Sequence, residues 1–213
     1  MLSIIRCSLK FLLLLLFVAC NNKSGNSAGK NDSTRKDSNT VLNAEGANNP
    51  YATIDISPMD MSYYPVDYPK LKMTNRITVP PVARVIYSRP HLQGRKLFHE
   101  LLKYGEPWRL GANEATEIQF YRDVAIQNKK VSAGRYILYC IPEENKWTIV
   151  LNGNIDTWGL KIDSSKDLQK FVIPITRNNP SFEYLTIVFE KADRGANLLM
   201  AWDDIVAELP ISF

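Results

Sequence analysis

The residues that could do chemistry in this chain are concentrated in the stretch WRLGANEAT, residues 108–116. Arg109 and Glu114 could form a charge-assisted bidentate pair, and Asn113 could cap the turn that Gly111 permits. A guanidinium held in this way is suited to bind a carboxylate, a phosphate or a sugar hydroxyl. The same side chains could instead lock the loop onto the fold as a satisfied polar network. The sequence leaves both interpretations open.

Aromatic residues near this stretch could complete a binding site. Tyr104, Trp108 and Trp158 would place flat apolar faces beside the polar groups, a combination that carbohydrate and other small-ligand sites use. Each of them could equally pack in the core. The predicted ligand-binding residues are therefore polar or aromatic: Arg89, Trp108, Arg109, Asn113 and Glu114.

A second polar cluster surrounds His91. Arg89 and Arg95 flank the sequence PHLQG, and a basic loop with an imidazole could bind an anion or transfer a proton. No acid in the neighbouring sequence orients His91, so a hydrolytic enzyme would need a carboxylate from elsewhere in the fold. A loop with solvated charges is the alternative.

Other catalytic and metal-binding patterns are weak, so no catalytic residue is assigned and no metal or cofactor is expected. Glu114 and Glu117 would point to opposite faces if they lay on one extended strand. The two histidines of the chain do not form an H-E-x-x-H pattern. The alternating Asn152, Asn154 and Asp156 resemble the start of a calcium loop, but its glycine and its glutamate are missing, and a turn explains them.

The N-terminus predicts export. Residues 1–19 have a basic start and the apolar run FLLLLLFVA, which is too short to cross a bilayer and is typical of a signal peptide. The sequence FVAC resembles a lipoprotein processing site, at which Cys20 would be lipidated. We therefore predict a lipid-anchored cell-envelope protein, at the outer membrane and facing the periplasm. A plain cleaved signal is the alternative.

Residues 20–50 predict a disordered tether, because they contain no aromatic residue and many Asn, Ser, Lys and Gly. Such a tether would reach about 30 Å from the bilayer. Loss of residues 1–19 changes the formal charge from +4 to +2, with 24 basic and 22 acidic residues. This balance argues against nucleic acid as a partner. Cys140 would then be the remaining thiol, in an apolar run that predicts burial.

Residues 51–213 predict one all-β domain, a single antiparallel β-sandwich of the jelly-roll type. Short β-branched or aromatic runs alternate with turn-like stretches, and we expect about eight strands or more. RYILYCI is apolar on both faces, which predicts a central strand. Pro174 cannot donate to a ladder, which predicts an edge or a bulge. At most one short helix is expected, in GRKLFHELLKYG at residues 94–105.

The phrases YSRPHLQGRKLF, YGEPWRLGANEAT, AGRYILYCIP and LLMAWDDIVAELPI together resemble a secreted bacterial family catalogued as domain of unknown function 2911. The resemblance runs from about Val82 to the C-terminus and is most specific at WRLGANEAT. The family implies no particular activity. HELLKYG replaces the glycine-rich segment usual after GRKLF, which suggests that His99 is not part of a shared site.

Three functions remain open from the sequence. The first is a non-enzymatic module that binds a polar ligand, such as a glycan or a cell-wall fragment, through the predicted residues. The second is a hydrolase-type enzyme that uses His91. The third is a structural or protein-interaction role, in which an edge such as the Pro174 strand pairs with another envelope protein.

Overall fold

The computed structural model describes residues 57–213, except for the side chains of residues 178–180. This part of the chain consists mainly of strands: β1 (Met59–Tyr64), β2 (Ala83–Ser88), β3 (Glu117–Phe120), β4 (Val124–Ile126), β5 (Lys129–Val131), β6 (Gly134–Pro142), β7 (Lys146–Asn152), β8 (Asp167–Ala192) and β9 (Gly195–Ser212). The helix α1 (Tyr68–Met73) lies between β1 and β2, and a 3-10 turn (Ser164–Lys166) precedes β8.

The strands pair in the order β1-β2-β3-β6-β7-β8-β9-β4-β5, and each pair is antiparallel. The long strand β8 belongs to both halves of this sheet, because its first part pairs with β7 and its second part with β9. The second part also contacts β1, where the Phe189 backbone N–H donates to Ser62 Oγ at 3.1 Å. The predicted all-β sandwich is confirmed.

Buried and exposed side chains alternate along the strands, and the buried ones form the core. In β3, Ile118 and Phe120 are buried, whereas Glu117 and Gln119 face the other way and stay partly exposed. The buried apolar side chains of both sheet halves form one cluster, whose burial is the main source of stability. It includes Val85, Leu138, Cys140, Trp147, Ile149, Phe171, Ile187, Leu198 and Leu209. β6 has β3 and β7 as neighbours, which confirms that it is central.

The position of Pro174 corrects a prediction. Pro174 faces Lys146 in the last pair between β7 and β8, and Ile175 faces Ala207 in the first pair between β8 and β9. Pro174 therefore lies where β8 exchanges one neighbour for the other, a place that a residue without an N–H can occupy. The strand is internal to the sheet, so the edge proposed for a protein partner is not an edge.

The helix predicted in residues 94–105 is wrong as a regular helix. Phe98 has ψ 145° and His99 has φ 84°, which are not helical values. Leu97 and Phe98 are both buried, and the Phe98 ring stacks on Tyr104 at 4.0 Å. Burial of two successive side chains has overridden the helical spacing of the leucines. The α-helix of the structure is α1, which begins beside Pro69.

The predicted signal peptide, the lipidation at Cys20 and the tether to residue 50 lie outside the described residues. Within residues 57–213, no helix is long and apolar enough to cross a membrane.

Candidate functional site

The stretch 108–116 is a loop fastened to the sheet by its backbone. The Trp108 N–H donates to the Cys140 carbonyl at 2.7 Å, and the Cys140 N–H donates back at 2.8 Å. Thr116 Oγ1 donates to the Leu110 carbonyl at 2.6 Å inside the protein. A Cβ on Gly111 would lie 3.1 Å from the Ser88 carbonyl oxygen. This loop is therefore packed tightly on the strands beneath it.

Trp108 belongs to the core rather than to an open site. Its ring stacks on Trp202 at 5.6 Å and meets the edge of Trp147 at 6.0 Å. Its Nε1 donates to the Gly111 carbonyl at 3.3 Å. The predicted role of Trp108 as a ligand platform gains no support from this geometry, because the ring contacts protein on two sides.

Arg109 and Glu114 are directed to different cavities. Arg109 lines a narrow crevice together with Tyr139, Asn152 and Asp163, and Glu114 lines a wider pocket. No ion pair joins Arg109 and Glu114 among the described residues, so the suggested bidentate pair is not made. Burial lowers the pKa of the Arg109 guanidinium, and its Nε has no hydrogen-bond partner there.

The other two predicted ligand-binding residues hold the fold. Asn113 adopts a left-handed conformation, with φ 53°, and its Nδ2 donates to the Ser57 carbonyl at 3.2 Å. Arg89 Nε donates to the Leu185 carbonyl at 3.1 Å, and its Nη1 lies 3.5 Å from Asp60 Oδ2. Arg89 therefore joins β8 to β1, and it does not line the wider pocket.

The wider pocket, which we call the charged pocket, has a volume of about 480 Å³ and lies on the outer face of β2, β3 and β6. Strand register builds its floor. Ile86, Glu117 and Ile137 face one another across the three strands in one row. Arg84 and Arg135 flank Gln119 in the adjacent row. Because paired residues of antiparallel strands point to the same face, outward residues from three strands meet here.

Arg135 holds two acids of the charged pocket in place. Its Nε and Nη2 donate to Glu117 Oε2 at 3.1 and 2.5 Å, and its Nη2 also donates to Asp156 Oδ1 at 2.8 Å. These hydrogen bonds raise the pKa of the Arg135 guanidinium. The network fixes the floor of the pocket, since a planar guanidinium binds carboxylates in a defined geometry.

Glu114 and Trp158 form the rim of the charged pocket. The Ala115 N–H donates to the Thr157 carbonyl at 3.4 Å, which places the residues on either side of this contact next to each other. Trp158 is 53% exposed, a high value for a tryptophan. Among the described residues, no hydrogen bond or ion pair engages the Glu114 carboxylate. The sequence had suggested that Trp158 could lie beside these polar groups, and both Glu114 and Trp158 line the charged pocket.

Glu114 and Glu117 line the same pocket, contrary to the prediction that they face opposite ways. The prediction assumed an extended strand through both residues. β3 begins only at Glu117, and the loop before it includes Asn113 with φ 53°. This bend returns Glu114 to the face that Glu117 occupies.

The narrow crevice beside Arg109 has room for about 10 Å³, which is the space of one water molecule. Next to it lies a satisfied polar network. Asp167 accepts hydrogen bonds from Tyr139 at 2.9 Å and from Asn152 at 2.8 Å, and it pairs with Lys170 at 2.9 Å. The Asp167 side chain is only 8% exposed. Burial raises the pKa of this carboxyl, but the three donors lower it more, and the net pKa lies below 3.8.

His91 has an acid beside it, as the hydrolase hypothesis requires, but not in catalytic geometry. Its Nδ1 lies 3.7 Å from Glu183 Oε1, beyond hydrogen-bond distance. Its ring stacks on Tyr184 at 5.1 Å, and its Nε2 is buried without a partner. The nitrogen that would meet a substrate therefore faces protein, which gives no support to a general base here.

The turn after β7 uses its polar residues locally. Asn152 Oδ1 accepts the Asn154 N–H at 2.8 Å, and Asn152 Nδ2 donates to the Asp163 carbonyl at 2.9 Å. This is a side-chain-capped turn rather than the beginning of a calcium loop. Within residues 57–213, no group of acids, histidines or cysteines could hold a metal ion.

Comparison with known proteins gives one result. Neither the curated proteins nor the solved structures yielded a match. The family model described as a protein of unknown function, DUF2911, matches residues 69–211, which is more than half of the chain and includes most of the charged pocket. The chain therefore belongs to the DUF2911 family.

Proposed function

We propose that this protein is a binding module for a small polar ligand, with a glycan or a cell-wall fragment as the first candidate, and that the charged pocket is its binding site. The observation that carries this proposal is the exposed Trp158 on the rim of a 480 Å³ pocket whose charged floor is already fixed. Pockets of about 300–1,000 Å³ are typical of small-ligand sites.

The residues of this proposal differ in part from those that the sequence suggested. Glu114 stays, and Trp158 takes the role first given to Trp108. Arg84 and Arg135 replace Arg89 and Arg109 as the cationic groups, because they line the charged pocket. An exposed indole face can stack on an apolar face of a sugar or of another ligand, while fixed polar groups select its orientation.

We further propose that the domain is held at the outer membrane, facing the periplasm, by a lipid on Cys20. The signal-like residues 1–19 and the cysteine after them support this location. Cells grown with labelled palmitate should incorporate the label into the wild-type protein, and Cys20→Ser should abolish this incorporation. Incorporation of the label by the variant would contradict a lipid on Cys20.

Binding can be tested by saturation-transfer NMR of the domain with a panel of neutral disaccharides and short peptides. Wild-type protein should transfer magnetisation to at least one compound, and Trp158→Ala should reduce its affinity about tenfold, because stacking on an aromatic ring contributes about 1 kcal/mol or more. Leu160→Ala is the matched control, since Leu160 is 71% exposed in the same loop and does not line the pocket.

The proposal fails if no member of the panel binds, or if Leu160→Ala and Trp158→Ala weaken binding equally. In the second case the loop as a whole, rather than the indole in the pocket, would determine affinity.

A further inference from the structure

We infer that the ligand of the charged pocket is a short zwitterionic peptide, with its amine at Glu114 and its carboxylate at Arg84. This inference rests on the proposed function and adds the charge pattern of the ligand. It is drawn from the charges that the pocket leaves unmatched.

The rim of the pocket offers one unmatched anion. Glu114 has no partner among the described residues, and it lines the same pocket as Trp158, with the Ala115–Thr157 hydrogen bond joining their two segments. A carboxylate beside an indole face is suited to an ammonium group, which is attracted both by the charge and by the ring. A neutral ligand would use only the ring.

The floor of the pocket offers one unmatched cation. Arg84 Nη2 donates to Gln119 Oε1 at 2.8 Å, which is a neutral acceptor. Arg84 Nε is buried and has no acceptor in the described part of the chain. A guanidinium whose only acceptor is neutral still attracts a carboxylate, because a hydrogen bond between two charged groups is stronger than one to a neutral acceptor.

The remaining charges of the pocket do not neutralise Arg84 or Glu114. Arg135 binds both Glu117 and Asp156, so these three side chains form a closed group. Arg84 is half-buried, and a partly desolvated charge without a counter-charge is unfavourable, whereas the exposed Glu114 carboxylate is hydrated and open to a ligand. A ligand that supplies one ammonium and one carboxylate would satisfy Arg84 and Glu114 together.

The size of the pocket and the positions of Arg84 and Glu114 in the chain favour a peptide over a single amino acid. Arg84 lies in the row of Gln119, the next row contains Ile86 and Ile137, and Glu114 precedes β3 in the chain. Two residue steps along a strand already separate backbone positions by about 7 Å. A single amino acid holds its amine and carboxylate close together, whereas a tripeptide separates them by more than this spacing and can lie above the two isoleucines of the pocket.

The test measures dissociation constants of trialanine, N-acetyl-trialanine and trialanine amide by NMR titration of the wild-type domain. Acetylation removes the charge of the amine, and amidation removes the charge of the carboxylate. Each of these two caps should weaken binding about tenfold or more, as expected when one partner of a charge pair is removed. In Glu114→Gln, acetylation of the peptide should no longer matter. In Arg84→Met, amidation should no longer matter.

Matched controls come from exposed charges outside the pocket. Glu144→Gln and Arg76→Met alter residues that do not line it, and both variants should retain the full effect of each cap. The comparison of the three peptides on the wild-type protein needs no variant, so the inference stays testable if Arg84→Met does not fold.

Three outcomes separate this inference from the proposed function. Equal affinity for the capped and uncapped peptides would overturn the inference. Binding of a neutral disaccharide that depends on Trp158, without binding of trialanine, would overturn the inference and leave the proposed function standing. No binding of peptides or disaccharides at concentrations up to about 10 mM, an affinity weaker than about −3 kcal/mol, would overturn both.

Discussion

In the polar network at Asp167, each carboxylate oxygen accepts a hydrogen bond from a neighbouring side chain, whereas in the charged pocket nearby Glu114 has no partner among the described residues. The two regions share the wall made by Ala115 and Thr157. They therefore differ in whether polar groups satisfy one another, and not in how polar they are. Satisfied groups hold the loops in place, and unsatisfied groups are available to a ligand.

The cavities of the two regions also differ in size. The crevice beside the Asp167 network has room for about 10 Å³, and the charged pocket has about 480 Å³. In the charged pocket, Arg135 binds Glu117 and Asp156, and the space above them remains open.

The largest loss of stability is expected for a substitution at Gly159, which packs against the wall between the two regions. Gly159 has φ +76°, and a Cβ there would lie 2.8 Å from Ala115 Cβ and 3.2 Å from Arg109 Cβ. Gly159→Ala should lower the free energy of unfolding by about 3 kcal/mol, because backbone strain and overpacking add. Urea unfolding measures this loss.

Gly94 provides the matched control. Its φ of +74° is nearly the same, but nothing lies within 4 Å of a Cβ built there. Gly94→Ala should cost only about 1 kcal/mol, the backbone strain alone. Equal losses in the two variants would mean that the close approach of Gly159 to Ala115 contributes nothing to the wall.

The next largest loss of stability is expected for a substitution in the Asp167 network. In Asp167→Asn the amide nitrogen cannot accept a hydrogen bond, so a buried donor such as Tyr139 Oη or Asn152 Nδ2 loses its acceptor. We expect a loss of about 2 kcal/mol at pH 7. Asp193→Asn, in the exposed turn after β8, is the control and should change stability by less than about 0.5 kcal/mol.

The cost of Asp167→Asn should depend on pH. The pKa of Asp167 in the folded protein lies below the ordinary value of 3.8, so the folded state binds this proton less readily than the unfolded state. Its stabilising contribution is fully present above about pH 4 and is lost as the pH falls through the lowered pKa. Unfolding curves of both proteins from pH 7 to pH 2 measure this. A difference that stays constant over this range would show that the carboxylate charge does not stabilise the network.

The fold could be predicted from the sequence where the pattern is local. In β3, buried Ile118 and Phe120 alternate with partly exposed Glu117 and Gln119, a pattern that can be read from the sequence of the strand alone. The apolar run of β6 correctly indicated a central strand. The helix prediction for residues 94–105 failed. The helical spacing of the leucines does not reveal that Leu97 and Phe98 are both buried in the core.

The candidate site could be predicted only in part, because it depends on which strands are neighbours. β3 pairs with β6, although β4 and β5 lie between them in the chain. This pairing brings Arg135 to Glu117, and no short-range pattern encodes it. Outward alternation could have marked Arg84 and Glu117 as candidates, but not as members of one pocket. The pair of Arg109 and Glu114 was suggested by proximity in sequence, and the bend at Asn113 separates the two side chains.

The smallest change in stability is expected for Glu114→Gln, and it is the most informative for the comparison. Because no described residue pairs with this carboxylate, its replacement should alter the free energy of unfolding by less than about 0.5 kcal/mol, as should the exposed control Glu144→Gln. Urea unfolding of the two variants at pH 7 measures this. A loss of about 3 kcal/mol or more would indicate a buried charge pair. Glu114 would then lock the loop, and the charged pocket would lose the anion on which peptide binding depends. A negligible loss would show that folding does not require this charge, which leaves Glu114 free to bind a ligand.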